Sequence, residues 1–334
     1  GPTQGSARSA NRFLPQVSDL VGILKILTGK RFPFKFVYTN EYWMFKPGRH
    51  IFPIKKYRLI YESLLEIGAR PEHFIEPRPA SDEELLLVHT PRFLKKIETS
   101  SLNRNELEEL ELRFSPELVR FSRLMVGGTI LTLERALSDG LAVHIGGGFH
   151  HAFPDHGEGF CLLNDVAVAV EKVVRSGRVK KVMIVDCDLH QGNGTAAVFS
   201  GREDVFTFSI HQMDVYPSTK PAGTLDVGLW SGDGDERYLG ELSAHIPRIY
   251  DVFRPELVVF LAGADPFEGD LMGGLFLTKA GLKARDKQVL QGARSRRIPV
   301  AVLFAGGYAA DIRDTVDIHL NTIRAARVVQ RLYS

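Results

Sequence analysis

Asp186, Asp188 and His190 alternate along one short segment, with Cys187 and Leu189 between them. In an extended chain such alternation puts the two carboxylates and the imidazole on one face. Carboxylate and imidazole are both good zinc ligands, and a catalytic zinc keeps three protein ligands plus an open position. Asp188 and His190 would supply two, and Asp265 a third. The same donor set would suit iron(II), and the plainer alternative is that Asp188 and Asp265 only cap following helices. Two more groups bear on chemistry: the adjacent pair His150-His151, and Tyr308 after Gly306-Gly307.

These residues must be positioned by strands and helices. Residues 34–38, 142–145, 182–186, 205–210, 257–262 and 300–304 are short apolar runs, as expected of parallel strands covered on both faces. Helical patterns lie between them at 54–67, 116–137, 164–175, 236–253, 279–296 and 311–332. The alternation predicts an α/β fold with a central, mostly parallel sheet and helices on both faces. Ligands bind beyond the carboxyl ends of the strands in such folds. His150-His151, the Asp188–His190 segment, Asp265 and Tyr308 follow four different predicted strands, so the fold would bring them together.

Composition is compatible with this. The chain is 44% hydrophobic with 42 basic and 40 acidic residues, a net charge of +2, which gives no electrostatic reason to expect nucleic-acid binding. No apolar run approaches a membrane span, and no signal-peptide pattern is present. Two cysteines argue against a disulfide scaffold. A cytoplasmic protein is expected, nuclear also if the organism is eukaryotic. Residues 1–30 read as an N-terminal extension, with Gly1-Pro2 an expression scar, ahead of one catalytic domain over 31–334. Oligomeric state is not legible.

The segments IGGGFHHAFPDHGEGFCLLND (145–165), VDCDLHQGNG (185–194), AGADPFEGDLMGGL (262–275) and AGGY (305–308) resemble the zinc-dependent histone deacetylases. HQGNG is closest to the class IV branch, and residues 80–94, 127–129 and 296–300 agree with it. The resemblance implies the arginase/deacetylase fold and a protein-lysine deacylase acting on an acyl-lysine substrate, with long fatty acyl groups a class IV expectation. It makes His151 the general base and later the acid, and His150 its electrostatic partner. Asp186 orients His150, Asn193 orients His151, and Tyr308 serves the oxyanion. Asn193 carries no charge, so it raises the pKa of His151 less than an Asp would.

Gly159, Phe160, Tyr216 and Met272 would then line the substrate channel. Met272 stands where polyamine-selective relatives carry an acid, which counts against the alternative of an acetylpolyamine deacetylase. The related arginases bind two metals, but Gly192 and Phe267 occupy the places of the second metal's acidic ligands, so one zinc is expected. A structural potassium would use Asp186, Asp188, His190, Ser209 and Ile210. His50, His89, His144 and His211 read as packing or surface residues, residues 106–113 as a solvated helix face, and Arg294–Arg297 as a solvated helix end.

Overall fold

The computed structural model describes residues 32–334; the expected extension over 1–30 lies outside the described residues. Eight strands form one sheet: β1 (Lys35–Val37), β2 (Phe74–Ile75), β3 (Leu141–His144), β4 (Val182–Asp186), β5 (Val205–Gln212), β6 (Leu225–Leu229), β7 (Leu257–Leu261) and β8 (Val300–Leu303). Their order is β2-β1-β3-β8-β7-β4-β5-β6, and every pairing is parallel. Strands β3, β4, β7 and β8 are buried at every residue. That is why they read as unbroken apolar runs, since helices cover both of their faces. β3, β8, β7 and β4 are also neighbours at the centre of the sheet, and these are the strands that the polar clusters follow.

Local signals stop and start the helices. Ser115 accepts a hydrogen bond from the Leu118 N–H, Pro116 occupies the first turn, and Gly140 ends Pro116–Asp139 at φ 82°, a conformation that glycine adopts at little cost. Asn164 caps Asp165–Arg175 and Thr278 caps Lys279–Arg294 through their side chains. No described helix is long and apolar enough to cross a membrane.

The structure adds elements that the periodicity missed. β2 has two residues and β6 is a partly exposed edge strand containing Asp226 and Gly228, so neither makes an apolar run. Helices Asp82–Leu85, Pro91–Glu98 and Asn193–Val198 are short. Residues 106–113 are not one solvated face: the helix Arg104–Leu110 ends early, and Leu110 and Leu112 are buried. Arg294 is likewise no solvated helix end. It is buried and donates to Gln330 at 2.9 Å and to the Ile298 carbonyl at 3.2 Å.

Candidate active site

Asp186 is the last residue of β4, and past it the chain does not stay extended. The Asp188 N–H donates to Asp186 Oδ1 at 3.1 Å and the His190 N–H to Asp188 Oδ1 at 2.9 Å, so the segment curls over its own carboxylates. This curl, rather than strand alternation, brings Asp188 and His190 to one point. Asp265 arrives from the end of β7 and accepts the Leu189 N–H at 3.0 Å. One ligand atom from each of Asp188, His190 and Asp265 lies within 4.8 Å of the others, and all three residues are buried.

His190 Nδ1 lies 3.2 Å from Asp188 Oδ1 and 3.3 Å from Asp265 Oδ2. Asp265 Oδ2 is buried with no hydrogen-bond partner among the described residues. Burial, then the charge of Asp188, pushes the Asp265 carboxyl upward. Two buried carboxylates this close are costly as anions unless a cation joins them. An unsatisfied oxygen aimed at an imidazole and a second carboxylate therefore fits a divalent metal of zinc type.

The imidazole pair stands beside this group. His150 Nδ1 is 2.7 Å from Asp186 Oδ2 and His151 Nδ1 is 2.8 Å from Asn193 Oδ1, the two pairings expected from the sequence. Their environments diverge. Burial opposes a charge on His150, but Asp186 and Asp188 hold its pKa up at about 9. Burial, reinforced by His150 and His190, drives His151 well below its ordinary value. The two adjacent rings thus suit different tasks: His150 favours the protonated form, and His151 the neutral form that can accept a proton.

Tyr308 follows β8. Its N–H donates to Asp270 Oδ2 at 2.6 Å, and Asp270 Oδ1 accepts the Met272 N–H at 2.9 Å, so one buried carboxylate joins both loops. Phe52, Tyr57, His150, His151, Phe160 and Tyr308 are among the residues around a cavity of about 30 Å³ that reaches Asp188 and His190. Gly159 and Phe160 border it as expected. Tyr216 does not, but its ring packs edge-on against His151 at 4.9 Å. Met272 does not border the cavity; it is half-buried, and its N–H meets the Asp270 carboxylate that also takes the Tyr308 N–H. Ser209 pairs with Asp186 in the β4–β5 register, with Ile210 next in the strand.

Two residues of this site were not foreseen. Lys56 is buried, borders the cavity and donates to the Ala305 carbonyl at 2.6 Å. Burial lowers its pKa to about 8, against the pull of Asp265, Asp188 and Asp270. The available signal was its helical spacing, since Lys56 shares a face with the buried Ile60 and Leu64. Glu158 accepts from Asn193 Nδ2 at 2.7 Å and from the Tyr216 hydroxyl at 2.6 Å. Flanked by two glycines, it gave no periodic signal. The histidines read as packing residues do pack: His144 lies between Tyr42 at 2.7 Å and Thr129 at 3.0 Å, and His211 pairs with Ser209 at 2.8 Å. Cys187 is buried, its thiol pushed up to about 12 by burial.

Residues 50–323 match the Histone deacetylase domain family. The chain belongs to the histone deacetylase family. It is 40% identical over 297 residues to an uncharacterised protein of Picosynechococcus, covering 89% of this chain and 99% of that one. It is 32% identical over 285 residues to Histone deacetylase 2 of Arabidopsis thaliana, covering 81% and 74%. An HDAC homologue from Aquifex aeolicus superposes with a TM-score of 0.75 at 23% identity, covering 89% and 84%. The HDA15 HD domain does so with a TM-score of 0.74 at 24% identity, covering 89% and 90%. At these identities the two structures speak for the fold alone, the arginase/deacetylase α/β fold of the family. Family membership makes the chain a deacetylase-type amide hydrolase.

Proposed function

We propose that this protein is a zinc-dependent lysine deacylase, with long fatty acyl groups the class IV expectation. The observation that carries the reading is convergence: Asp188, His190 and Asp265 lie within 4.8 Å of one another, beside a cavity bordered by His150, His151 and Tyr308. Zinc held by Asp188, His190 and Asp265 would polarise the amide carbonyl and make a water acidic enough to be deprotonated near neutral pH.

His151 takes a proton at Nε2, because its Nδ1 faces Asn193, and returns it to the leaving lysine amine. His150, paired with Asp186 at 2.7 Å, would stabilise negative charge building on the acyl carbon's oxygens. Tyr308 donates its hydroxyl proton in a hydrogen bond to that oxyanion. Phe160, at the cavity wall, would grip the lysine methylenes; the same role for Tyr216, packed against His151, rests on the resemblance. The neighbouring Asp186 and Ser209 support the potassium site implied by resemblance, with Ile210 lending its carbonyl.

HQGNG supports the class IV branch, for which a long acyl chain is the expectation. Met272 supplies no charge to a polyamine ammonium, so selectivity for that substrate has no source at this position.

The test is a panel of acyl-lysine peptides from acetyl to myristoyl, assayed beside acetylpolyamines with zinc-loaded and chelator-treated protein. Efficiency should vanish on chelation and rise with chain length, since each buried methylene contributes about 0.8 kcal/mol. A steep fall with length would replace the long-chain reading by that of a short-chain deacetylase. Acetylspermidine cleaved faster than every peptide would overturn the lysine-protein assignment.

A further inference from the structure

Asn193 is ambiguous by itself. Its amide can present either oxygen or nitrogen to His151, and the two faces demand opposite tautomers of the ring. With Oδ1 toward the ring, Nδ1 must carry the proton and Nε2 keeps its lone pair for the cavity. With Nδ2 toward the ring, Nδ1 becomes the acceptor, Nε2 carries the proton, and His151 cannot act as a base. Nothing in Asn193 prefers the first state.

Glu158 supplies the preference. An ionised carboxylate only accepts hydrogen bonds, and Glu158 Oε1 stands 2.7 Å from Asn193 Nδ2. Turning the amide over would put Asn193 Oδ1 against that carboxylate. The Tyr216 hydroxyl donates to the same Oε1 at 2.6 Å, and His156 Nε2 lies 3.4 Å from Oε2. Burial alone would raise the Glu158 carboxyl, but His156, Tyr216 and Asn193 hold it below the ordinary range. Gly159 is part of the arrangement: a Cβ there would fall 2.6 Å from the Tyr216 hydroxyl.

We propose that Glu158 is a positioning residue for the deacylation reaction: through Asn193 it selects the His151 tautomer whose Nε2 is free to accept a proton. The carboxylate that Asn193 lacks is thus present one residue further out. The consequence for rate rests on the deacylase reading above; the consequence for the tautomer does not.

The test uses zinc-loaded full-length protein. In Glu158→Gln the new amide can donate as well as accept, so both Asn193 orientations become possible. That variant should lose kcat on the order of ten- to a hundredfold, the usual cost of removing an outer partner of an active-site histidine, with KM little changed. Asn193→Asp alone should also be slow, because two carboxylates would then face each other. The double variant should recover most of the lost rate, since the introduced amide can donate to the introduced carboxylate, which in turn accepts from His151 Nδ1. A residue that only held its loop in place would give no such recovery.

Nitrogen NMR of histidine-labelled protein, assigned with His151→Ala, should show Nδ1 protonated in wild type and a mixed or reversed tautomer in Glu158→Gln. An unchanged tautomer with unchanged kcat in Glu158→Gln would overturn the proposal, as would a double variant with the two losses simply multiplied. If wild-type protein cleaves no acyl-lysine at all, the deacylase reading fails, and the NMR comparison still decides whether Glu158 sets the tautomer.

Discussion

Gly306 lies so close to Asp265 that a Cβ on it would stand 2.1 Å from Asp265 Oδ2 and 2.6 Å from Asp188 Oδ2. The same residue donates its N–H to Asp188 Oδ2 at 2.7 Å. The loop after β8 therefore forms one wall of the candidate metal site, and the wall has room for hydrogen only.

Gly306→Ala should weaken zinc binding on the order of ten- to a hundredfold, as displacement of supporting groups does at metal sites. Elemental analysis across a zinc-buffer series reads the loss, and circular dichroism should show the helix content unchanged. Full zinc occupancy at wild-type affinity would mean that Asp188 and Asp265 are not the ligands.

Tyr308→Phe should keep its zinc and lose turnover. Removing one preorganised oxyanion donor costs on the order of a hundred- to a thousandfold in kcat. Steady-state kinetics on acetyl-lysine peptide, with metal content measured on the same sample, separates the two effects. Equal turnover would assign the oxyanion to another donor.

Arg285 is fully buried, pairs with Asp286 at 2.9 Å, and donates to the carbonyls of Gly263 at 2.6 Å and Cys187 at 3.2 Å. It thereby ties together the loops that carry Asp265 and Asp188. Breaking a buried ion pair on one side leaves the other charge unpaired at a cost of about 3–5 kcal/mol. Arg285→Met should show that loss in denaturant unfolding, and Arg285→Met with Asp286→Leu should recover part of it. A single variant as stable as wild type would remove Arg285 from the scaffold of the site.

Glu84 links Arg78 and Lys172 to the helix start at Ser81. Burial alone would raise its carboxyl, but Arg78 and Lys172 hold it down at about 2, against an ordinary 4.5. A carboxyl lowered by folding stabilises the fold fully above the unfolded value, and that contribution is lost as pH falls toward the folded one. Unfolding free energy of the wild type should therefore decline between pH 4.5 and pH 2, and Glu84→Gln should flatten that decline. Parallel curves for the two proteins would show that Glu84 is not part of it.

The central strands, the polar clusters after them and the identity of the metal-ligand, imidazole and phenol candidates were legible in the sequence. The reason is local: a strand buried on both faces must be apolar throughout, so a run such as Val182–Val185 announces itself, and charged residues at its end stand out. β2 and β6 were not legible, because a two-residue strand and a half-exposed edge strand have no such constraint. Lys56 and Glu158 were hidden for a different reason. Each acts through one contact with a residue remote in sequence, Ala305 and Asn193 respectively, and no spacing rule links such positions. The alternation of Asp186, Asp188 and His190 suggested a shared strand face, whereas the chain curls after Asp186 and its own backbone N–H groups bind the carboxylates. Residue types and their places at strand ends determined which chemistry this protein could carry. Only the tertiary structure decided which oxygen meets which nitrogen, because that depends on where separate loops stop after the sheet has brought β3, β8, β7 and β4 side by side.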